Sequence, residues 1–174
     1  QLAREHNISI PKSRKQRFDI LVEKCSKLSG PEIFDFSNIK IAGKVLKFHK
    51  SLPGYKPTPL VSLSSLANKL GISHLLVKDE SQRFDLNAFK VLGASYAIAK
   101  VLGNTLNLGE DELIFDKILS AQLKFQNTTF VTATDGNHGR AVAWVSEKLG
   151  CKAIVYLPKN SSPARLLAIK QFGA

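Results

Sequence analysis

The sequence predicts an α/β fold in which a parallel sheet is covered by helices. Short, apolar, strand-like runs alternate with amphipathic, helix-like runs along most of the chain, an order typical of parallel sheets. The connections between these runs are short, and no internal repeat or low-complexity segment interrupts them. The length of 174 residues suits one domain, or one domain with part of a second.

Two helices are predicted before the first strand. Residues 13–28 carry apolar side chains at helical spacing, and the Ser-Gly-Pro run at 29–31 ends them. A second helix is predicted from about residue 38 to residue 50, with Ser37 as its N-cap and the Leu-Pro-Gly run at 52–54 as its stop. Neither helix contains a chemical motif, so we interpret both as scaffold or as oligomer contacts.

The remaining elements follow in regular order. The proline-containing run 56–60 should be extended, because proline disfavours helix in the residue before it. After it we predict, in order, a helix at 64–70 ended by Gly71, a strand at 74–79, a helix from Lys90 to about 102, a helix around 111–123, a strand at 129–133, a helix at 138–149 ended by Gly150, a strand at 153–157 and a helix at 163–172.

The composition excludes several classes of protein. A net charge of +11 invites a nucleic-acid interpretation, but the lysines are scattered and no binding motif is present, so no nucleic-acid partner is predicted. No apolar run reaches the roughly 20 residues that a membrane helix needs, and no signal peptide opens the chain. We therefore expect a cytoplasmic protein without membrane association. The absence of methionine suggests a piece of a longer protein.

The cysteines and histidines show no metal-ligand spacing. Cys25 and Cys151 are far apart and form no CxxC pair, so we expect reduced thiols rather than a disulfide or a zinc site. The four histidines are equally dispersed. No metal site is predicted.

Two motifs mark the predicted functional site. Residues 87–93 (NAFKVLG) and 134–140 (TDGNHGR) each lie where a strand-like run gives way to an amphipathic helix. A helix start has unpaired N–H groups and the positive end of a dipole, so it suits a carboxylate or a phosphate. The first motif places a lysine there, and the second an acid, an asparagine and a histidine between glycines. Together they predict a small-molecule site.

These residues also resemble a known enzyme family. The two motifs, with the runs PTPL at 57–60 and KDES at 78–81, are similar to the pyridoxal-phosphate (PLP) enzymes of the tryptophan-synthase-β group (fold type II). Within that group the chain most resembles the diaminopropionate ammonia-lyases. The similarity runs from about Gly54 to the last residue. The combination of motifs at matching separation is specific, although no single motif would be.

The resemblance implies a fold and a domain division. The fold would be a three-layer parallel sheet with helices on both faces, of which this chain holds the N-terminal half only. Residues 1–127 would be the N-terminal part of the large PLP-binding domain, with a helical extension, and residues 128–174 the start of a small mobile α/β domain. The C-terminal remainder would be absent from the chain. It would supply the glycine-rich phosphate cradle and the partner of the PLP ring nitrogen, since none of the eleven glycines here forms such a run.

Lys90 is the predicted catalytic lysine. At an apolar helix start between Phe89 and Val91, its ammonium should be partly removed from water, which favours the nucleophilic neutral amine. The resemblance implies that Lys90 forms an imine with PLP and carries a proton at the substrate's α-carbon. It also implies that Phe89 lies against the PLP ring. From the residues alone, a surface lysine and a core phenylalanine would be the simpler interpretations.

The second motif supplies the rest of the predicted binding set. The resemblance implies that Asn137 hydrogen-bonds O3′ of PLP. Gly136 and Gly139 would let the backbone approach the ring and present N–H groups to the substrate carboxylate. Thr134 would join Gly136 and Asn137 in binding that carboxylate, and His138 would complete the cofactor set as an anchor of its loop. The residues alone also fit a turn that caps the next helix.

Asp135 departs from the pattern of most relatives, which have serine at this place. The resemblance implies that Asp135 is a second catalytic base, which takes the α-proton of the D-isomer and leaves Lys90 for the L-isomer. Its carboxylate would also lie in the substrate site, where it would hold the β-ammonium. An aspartate here favours the ammonia-lyases over the dehydratases and racemases.

The function implied is a PLP-dependent ammonia-lyase that converts D- and L-2,3-diaminopropionate to pyruvate and ammonia by α,β-elimination. Its partners would be a small amino-acid substrate and a second copy in a homodimer. One alternative is a serine/threonine dehydratase or racemase of the same fold, against which Asp135 argues. Another is a non-catalytic, anion-binding relative, against which the intact Lys90, Asp135 and Asn137 argue.

Overall fold

The architecture is built around one central helix. The computed structural model describes residues 39–134 and 136–174, all of which belong to the compact unit Ile39–Ala174. Their elements, in chain order, are α1 (Ile39–Ser51), β1 (Leu60–Ser62), α2 (Ser64–Leu70), β2 (Leu76–Lys78), α3 (Lys90–Thr105), α4 (Phe115–Leu119), β3 (Thr129–Ala133), α5 (Asn137–Lys148), β4 (Lys152–Tyr156) and α6 (Pro163–Lys170). Short 3-10 turns lie at Glu80–Gln82, Glu110–Glu112 and Gln122–Lys124.

Helix α5 is the central element. Every residue from 141 to 146 is buried, so the helix is covered on all sides rather than along one stripe. It packs against α3, α6, β3 and β4. Trp144, only 6% exposed, is part of a core to which α1, α3 and α4 also contribute, among others through Phe48, Leu102 and Ile118. Because α5 begins at Asn137, the second motif is fixed to the core.

Two separate pairs of strands form the sheets of the described residues. β3 and β4 are parallel, with Thr129 opposite Lys152 and Ala133 opposite Tyr156. Alternate residues of both strands are half-buried, and the others are exposed. One face of this pair therefore packs on α5. β1 and β2 form a two-stranded antiparallel pair, with Val61 opposite Val77.

Most predicted elements are confirmed, several of them to the residue. The helix at 64–70 and the strand at 129–133 have the predicted bounds, and Gly71 ends its helix with φ of 63°. The second helix, predicted from about 38, is α1. The helix at 13–28 and the cap Ser37 lie outside the described residues. An α/β fold with a parallel strand pair is confirmed.

Two predictions differ from the structure. The strand before Lys90 pairs antiparallel with β1 instead of joining β3 and β4. The prediction of a long helix around 111–123 is wrong, because this segment forms the short helix α4 and two 3-10 turns. Ile114 is extended, with φ of −131° and ψ of 137°, because Leu113 and Phe115 on either side of it are both buried. The N–H of Phe115 also donates to Ser51 Oγ on α1 at 2.9 Å.

Candidate active site

The loop that precedes Lys90 has an unusual backbone. Phe84, Asp85 and Asn87 have φ of 49°, 57° and 54°, in the left-handed region that non-glycine residues seldom adopt. Between them Leu86 is buried, 3% exposed, and its N–H donates to the carbonyl of Arg83 at 2.8 Å. Asn87 therefore shapes this loop, while Phe89 occupies the cap position of α3 without a side-chain cap bond.

Arg140, the last residue of the second motif, holds the loop that precedes the first motif. From the first turn of α5, its Nη1 donates to the carbonyl of Leu86 and its Nη2 to the carbonyl of Asp85, both at 3.1 Å. One turn further along α5, the ring of Trp144 lies 5.1 Å from the ring of Phe84, centroid to centroid. Residues four apart share one face of a helix, so one face of α5 contacts the loop before Lys90 at two points.

A buried arginine fixes the start of the same loop. Arg83 is 4% exposed, and its guanidinium donates twice to Glu80, to Thr58 Oγ1 and to the carbonyl of Lys56. This hydrogen-bonded ion pair with Arg83, assisted by the hydroxyl of Thr58, lowers the pKa of Glu80 to about 2. Lys78 also donates to the carbonyl of Thr58. The PTPL run is thereby connected to the segment that leads to Lys90.

His49 contacts the first turn of α3 from the other side. This buried ring on α1 donates from Nε2 to the carbonyl of Leu92 at 2.8 Å. Burial lowers the pKa of His49, and the positive charge of Arg83 acts in the same direction. The neutral ring with its proton on Nε2 is thus the form that the folded protein favours.

The second motif leads into α5 with a tight approach to β3 and β4. The N–H of Gly136 donates to Thr134 Oγ1 at 3.0 Å. At Gly139 there is no space for a side chain: a Cβ there would overlap Thr134 Cγ2 and Val155 Cγ1. Helix α5 therefore lies directly against the carboxyl ends of β3 and β4. The first bond of the helix runs from the N–H of Arg140 to the carbonyl of Gly136.

The predicted site residues occupy two neighbouring helix starts. Lys90 is the first residue of α3 and Asn137 the first of α5. His138 lines an apolar cavity of about 210 Å³ together with Ala94, one turn after Lys90. Asp135 lies outside the described residues. The first turns of α3 and α5 thus line one cavity, while a shared small-molecule site formed by the two motifs stays a prediction.

Lys90 is less covered than the sequence suggested. It is exposed, and the neighbouring Phe89 is 63% exposed, because no described element packs over this end of α3. An exposed flat ring beside an exposed amine fits a planar, aldehyde-bearing aromatic cofactor such as PLP. Asn137, also exposed, adds an amide side chain at the adjacent helix start. Among residues 39–134 and 136–174 we find no cradle for the phosphate group.

The supporting contacts of four residues, namely Arg140, Glu80, Arg83 and His49, were not predicted from the sequence. Arg140 lies within the second motif, and Glu80 and Arg83 have the i,i+3 spacing of an ion pair, so a signal was present for these. His49 is the exception, because its partner Leu92 is 43 residues away. In the part of the chain that the structure describes, no three His, Cys, Asp or Glu residues cluster as a metal site, and no helix is long and apolar enough to cross a membrane.

Comparison with known proteins agrees with this geometry. Residues 51–174 match the family model described as "Pyridoxal-phosphate dependent enzyme". The chain is 48% identical over 139 residues to diaminopropionate ammonia-lyase of Salmonella typhimurium, covering 79% of this chain and 34% of that protein. With the Escherichia coli protein of that name the identity is 46% over 142 residues, 82% of this chain and 34% of the relative.

A solved structure is similar over most of the chain. The crystal structure of Escherichia coli diaminopropionate ammonia lyase in complex with D-serine superposes with a TM-score of 0.73 and 47% identity. The match covers 78% of this chain and 34% of that one. The chain therefore spans about one third of the length of the relatives that it matches.

Proposed function

The chain belongs to the family of pyridoxal-phosphate dependent enzymes, and from this we propose that it is the N-terminal part of an ammonia-lyase acting on D- and L-2,3-diaminopropionate. The overall reaction consumes one water and releases pyruvate and two molecules of ammonia, with no change in oxidation state overall. The observation that supports it best is the pair of hydrogen bonds from Arg140, at the end of the second motif, to the loop that precedes the first motif, because these bonds keep the first turn of α5 next to the segment that leads to Lys90. The relatives' names supply the substrate.

When bound, PLP supplies an electron-withdrawing ring that stabilises negative charge at the substrate's α-carbon. The residues of this chain hold and orient the reactants. Lys90 provides the amine that attaches the cofactor and then a proton carrier at the α-carbon. Phe89, with its ring exposed beside Lys90, provides an apolar face for the cofactor ring, and Asn137 provides a hydrogen bond to its O3′.

The start of α5 is the proposed carboxylate site. Helix α5 has 12 residues, and its first N–H groups have no partner among the described residues. The amide of Gly136 already donates to Thr134, so Thr134 orders this turn while the amide of Asn137 faces the ligand. His138 lines the cavity that this turn shares with α3. In this proposal Asp135 is the base for the D-isomer and contacts the substrate's β-ammonium.

The larger assembly is also part of the proposal. Val131, Ile154 and Tyr156 are 60%, 46% and 64% exposed on the face of β3 and β4 that α5 does not cover. In the three-layer fold of the family, this exposed face of the sheet would be covered by the second layer of helices. Residues 1–127 then belong to the large PLP-binding domain and residues 128–174 to the small mobile domain of a cytoplasmic homodimer.

A dehydratase or racemase of the same fold is the second candidate. It would use the same lysine and the same asparagine, so geometry alone does not separate it from the lyase. Asp135, in place of the serine typical of those enzymes, favours the lyase. The two candidates differ in the β-substituent that leaves: the lyase releases ammonia from diaminopropionate, and a dehydratase releases water from serine or threonine.

Rates of 2-oxo acid release test the proposal. Intact, PLP-loaded protein is offered D- and L-2,3-diaminopropionate, L-serine and L-threonine separately. Fast release from both diaminopropionate isomers with little from serine is the expected result. Release mainly from serine or threonine would identify a dehydratase. No release from any of the four would favour the non-catalytic relative.

A further inference from the structure

We propose that Arg140 is a positioning residue that holds the loop before Lys90 and so sets where the lysine amine is presented to the cofactor. The inference rests on the proposed function, because that function makes Lys90 the attachment residue. The hydrogen bonds on which it rests are those of the Arg140 guanidinium, which end on the loop and not on Lys90 or on the proposed carboxylate site. Arg140 acts through the backbone of two other residues.

The contact is specific to an arginine. Two different nitrogens of one guanidinium reach two successive carbonyl oxygens, those of Asp85 and Leu86, each at 3.1 Å. A guanidinium is planar and presents its donors in a fixed fork, whereas a lysine ammonium is a single flexible point. The fork therefore defines the orientation of two consecutive peptide groups as well as their distance from α5.

The loop requires such a restraint. Phe84, Asp85 and Asn87 are all in the left-handed region, which persists only where the surrounding structure determines it. Leu86 anchors the loop by its buried side chain, yet the direction of its carbonyl is set by Arg140. Without that bond the loop would gain access to ordinary backbone conformations. Lys90 lies four residues after Leu86 and would move with the loop.

The other end of the restraint is rigid. Arg140 belongs to α5, whose next six residues are all buried, and Trp144 on the same face contacts Phe84. Because Asn137 starts this helix, one rigid element positions both the asparagine and, through the loop, the lysine. The Nε atom of Arg140 is buried without a hydrogen-bond partner among the described residues. The side chain is thus placed to serve the two carbonyls rather than to satisfy all of its own donors.

The test compares Arg140→Ala and Arg140→Lys in the intact protein. The first readout is the rate at which added PLP becomes covalently attached to Lys90 of the apoprotein, trapped with borohydride and located by peptide mass. The second is the affinity for 4′-deoxypyridoxine phosphate, which lacks the aldehyde and binds without attachment. The third is the midpoint of thermal unfolding. The control is Lys100→Ala. Lys100 lies on the same helix as Lys90, and the substitution removes its exposed ion pair with Glu110 at 2.9 Å.

We expect Arg140→Ala to slow the attachment about 100-fold, the effect of a misplacement of about 1 Å at a reacting group. Arg140→Lys should recover part of that loss, since it can reach one carbonyl. Affinity for the deoxy analogue and the unfolding midpoint should change little, and Lys100→Ala should leave all three values unchanged. Attachment at the wild-type rate in Arg140→Ala would overturn the proposal. Parallel loss of attachment, analogue affinity and unfolding midpoint would also overturn it, because Arg140 would then be merely structural.

These readouts do not depend on turnover. If the unaltered protein attaches PLP at Lys90 but releases no 2-oxo acid from diaminopropionate, the proposed lyase activity fails while the role of Arg140 remains supported or overturned by the attachment rates. If turnover is normal and attachment is insensitive to Arg140, only the positioning role fails.

Discussion

Arg83 and Glu80 form a largely buried ion pair, with Nη2 of the arginine 2.8 Å from Oε1 of the glutamate. Their side chains are only 5% and 19% exposed. Arg83 also lies over two aromatic rings, its Cζ 5.5 Å from the centroid of Tyr55 and 5.8 Å from that of Phe84. The pair therefore connects the extended PTPL run to the loop that precedes Lys90, and its stability bears directly on the site.

Replacing Glu80 by glutamine should destabilise the protein. Loss of the carboxylate leaves Arg83 buried without its counter-charge, which costs about 3 kcal/mol of unfolding free energy. The pKa of Glu80 is lowered from 4.5 to about 2, so its contribution is complete above pH 4.5 and is lost as the pH falls toward 2. Chemical denaturation of both proteins at pH 7 and across this acid range measures the difference. The difference in unfolding free energy between the two proteins should be largest at pH 7 and should disappear as the pH falls toward 2.

Glu147→Gln is the matched control for that experiment. Glu147 pairs with Lys148 at 3.8 Å, and both side chains are 43% exposed. An exposed pair at this distance contributes little, so the same substitution there should leave the unfolding curve almost unchanged. Equal effects of the two substitutions would contradict the distinction between the buried and the exposed pair.

His49 should make stability depend on pH near neutrality. Because burial lowers its pKa below 6.5, the unfolded chain binds a proton more readily than the folded protein as the pH falls through 6.5. Stability should therefore decrease on acidification below pH 6.5, where Nε2 still donates to Leu92 but the ring must be charged while buried. Thermal unfolding at pH 7.5 and pH 5.5 should show a smaller difference for His49→Gln than for the unaltered protein.

His74→Gln provides the comparison, since His74 is exposed. It should retain the pH dependence of the unaltered protein. An unchanged pH dependence in His49→Gln would assign the effect to another group.

Gly139→Ala should destabilise the packing of α5. A Cβ at this position would overlap Thr134 Cγ2 and Val155 Cγ1, both on branched side chains with restricted rotamers, and overpacking of this kind costs about 1–3 kcal/mol. Gly43→Ala on α1 is the control, because no atom lies within 4 Å of a Cβ there and alanine favours a helix more than glycine does. Unfolding midpoints should fall for the first variant and rise for the second. A rise for both would show that α5 can shift away from β3 and β4.

Much of the fold could be predicted from sequence because its signals are local. Gly71 ends α2 and Ser162 caps α6, accepting from the N–H of Arg165, and both are visible as residue types at the ends of periodic runs. The segment 111–123 was predicted wrongly because its helical periodicity is overridden by tertiary contacts. Leu113 and Phe115 are both buried, and Ser51 supplies the hydrogen bond that the extended backbone between them requires.

The candidate site shows the same division. Lys90 and Asn137 were identifiable because each motif opens a helix and carries unusual residue types. The contacts that hold them were not identifiable, since the bond from Arg140 to Leu86 spans 54 residues and ends on a backbone carbonyl. Every residue has a backbone carbonyl, so no residue type indicates which one accepts the hydrogen bond from Arg140. The left-handed conformation of Phe84 has no sequence signal either, because phenylalanine seldom adopts it.

Asp135→Asn should separate the two isomers of the substrate. If Asp135 removes the α-proton of the D-isomer and Lys90 that of the L-isomer, the substitution should lower kcat for D-2,3-diaminopropionate by about 100-fold or more, as expected for loss of a general base. The kcat for the L-isomer should fall much less. Initial rates of pyruvate release with each isomer give both values. Equal losses for the two isomers would rule out the assignment of two separate bases.

The lysine that holds the cofactor can be identified by covalent labelling. Intact protein loaded with PLP is reduced with borohydride and digested, and the labelled peptide is sequenced by mass spectrometry. We expect a single label on Lys90, at the start of the helix that Arg140 and His49 support, and no stable label in Lys90→Ala. A label on another lysine, such as Lys78, would contradict this assignment.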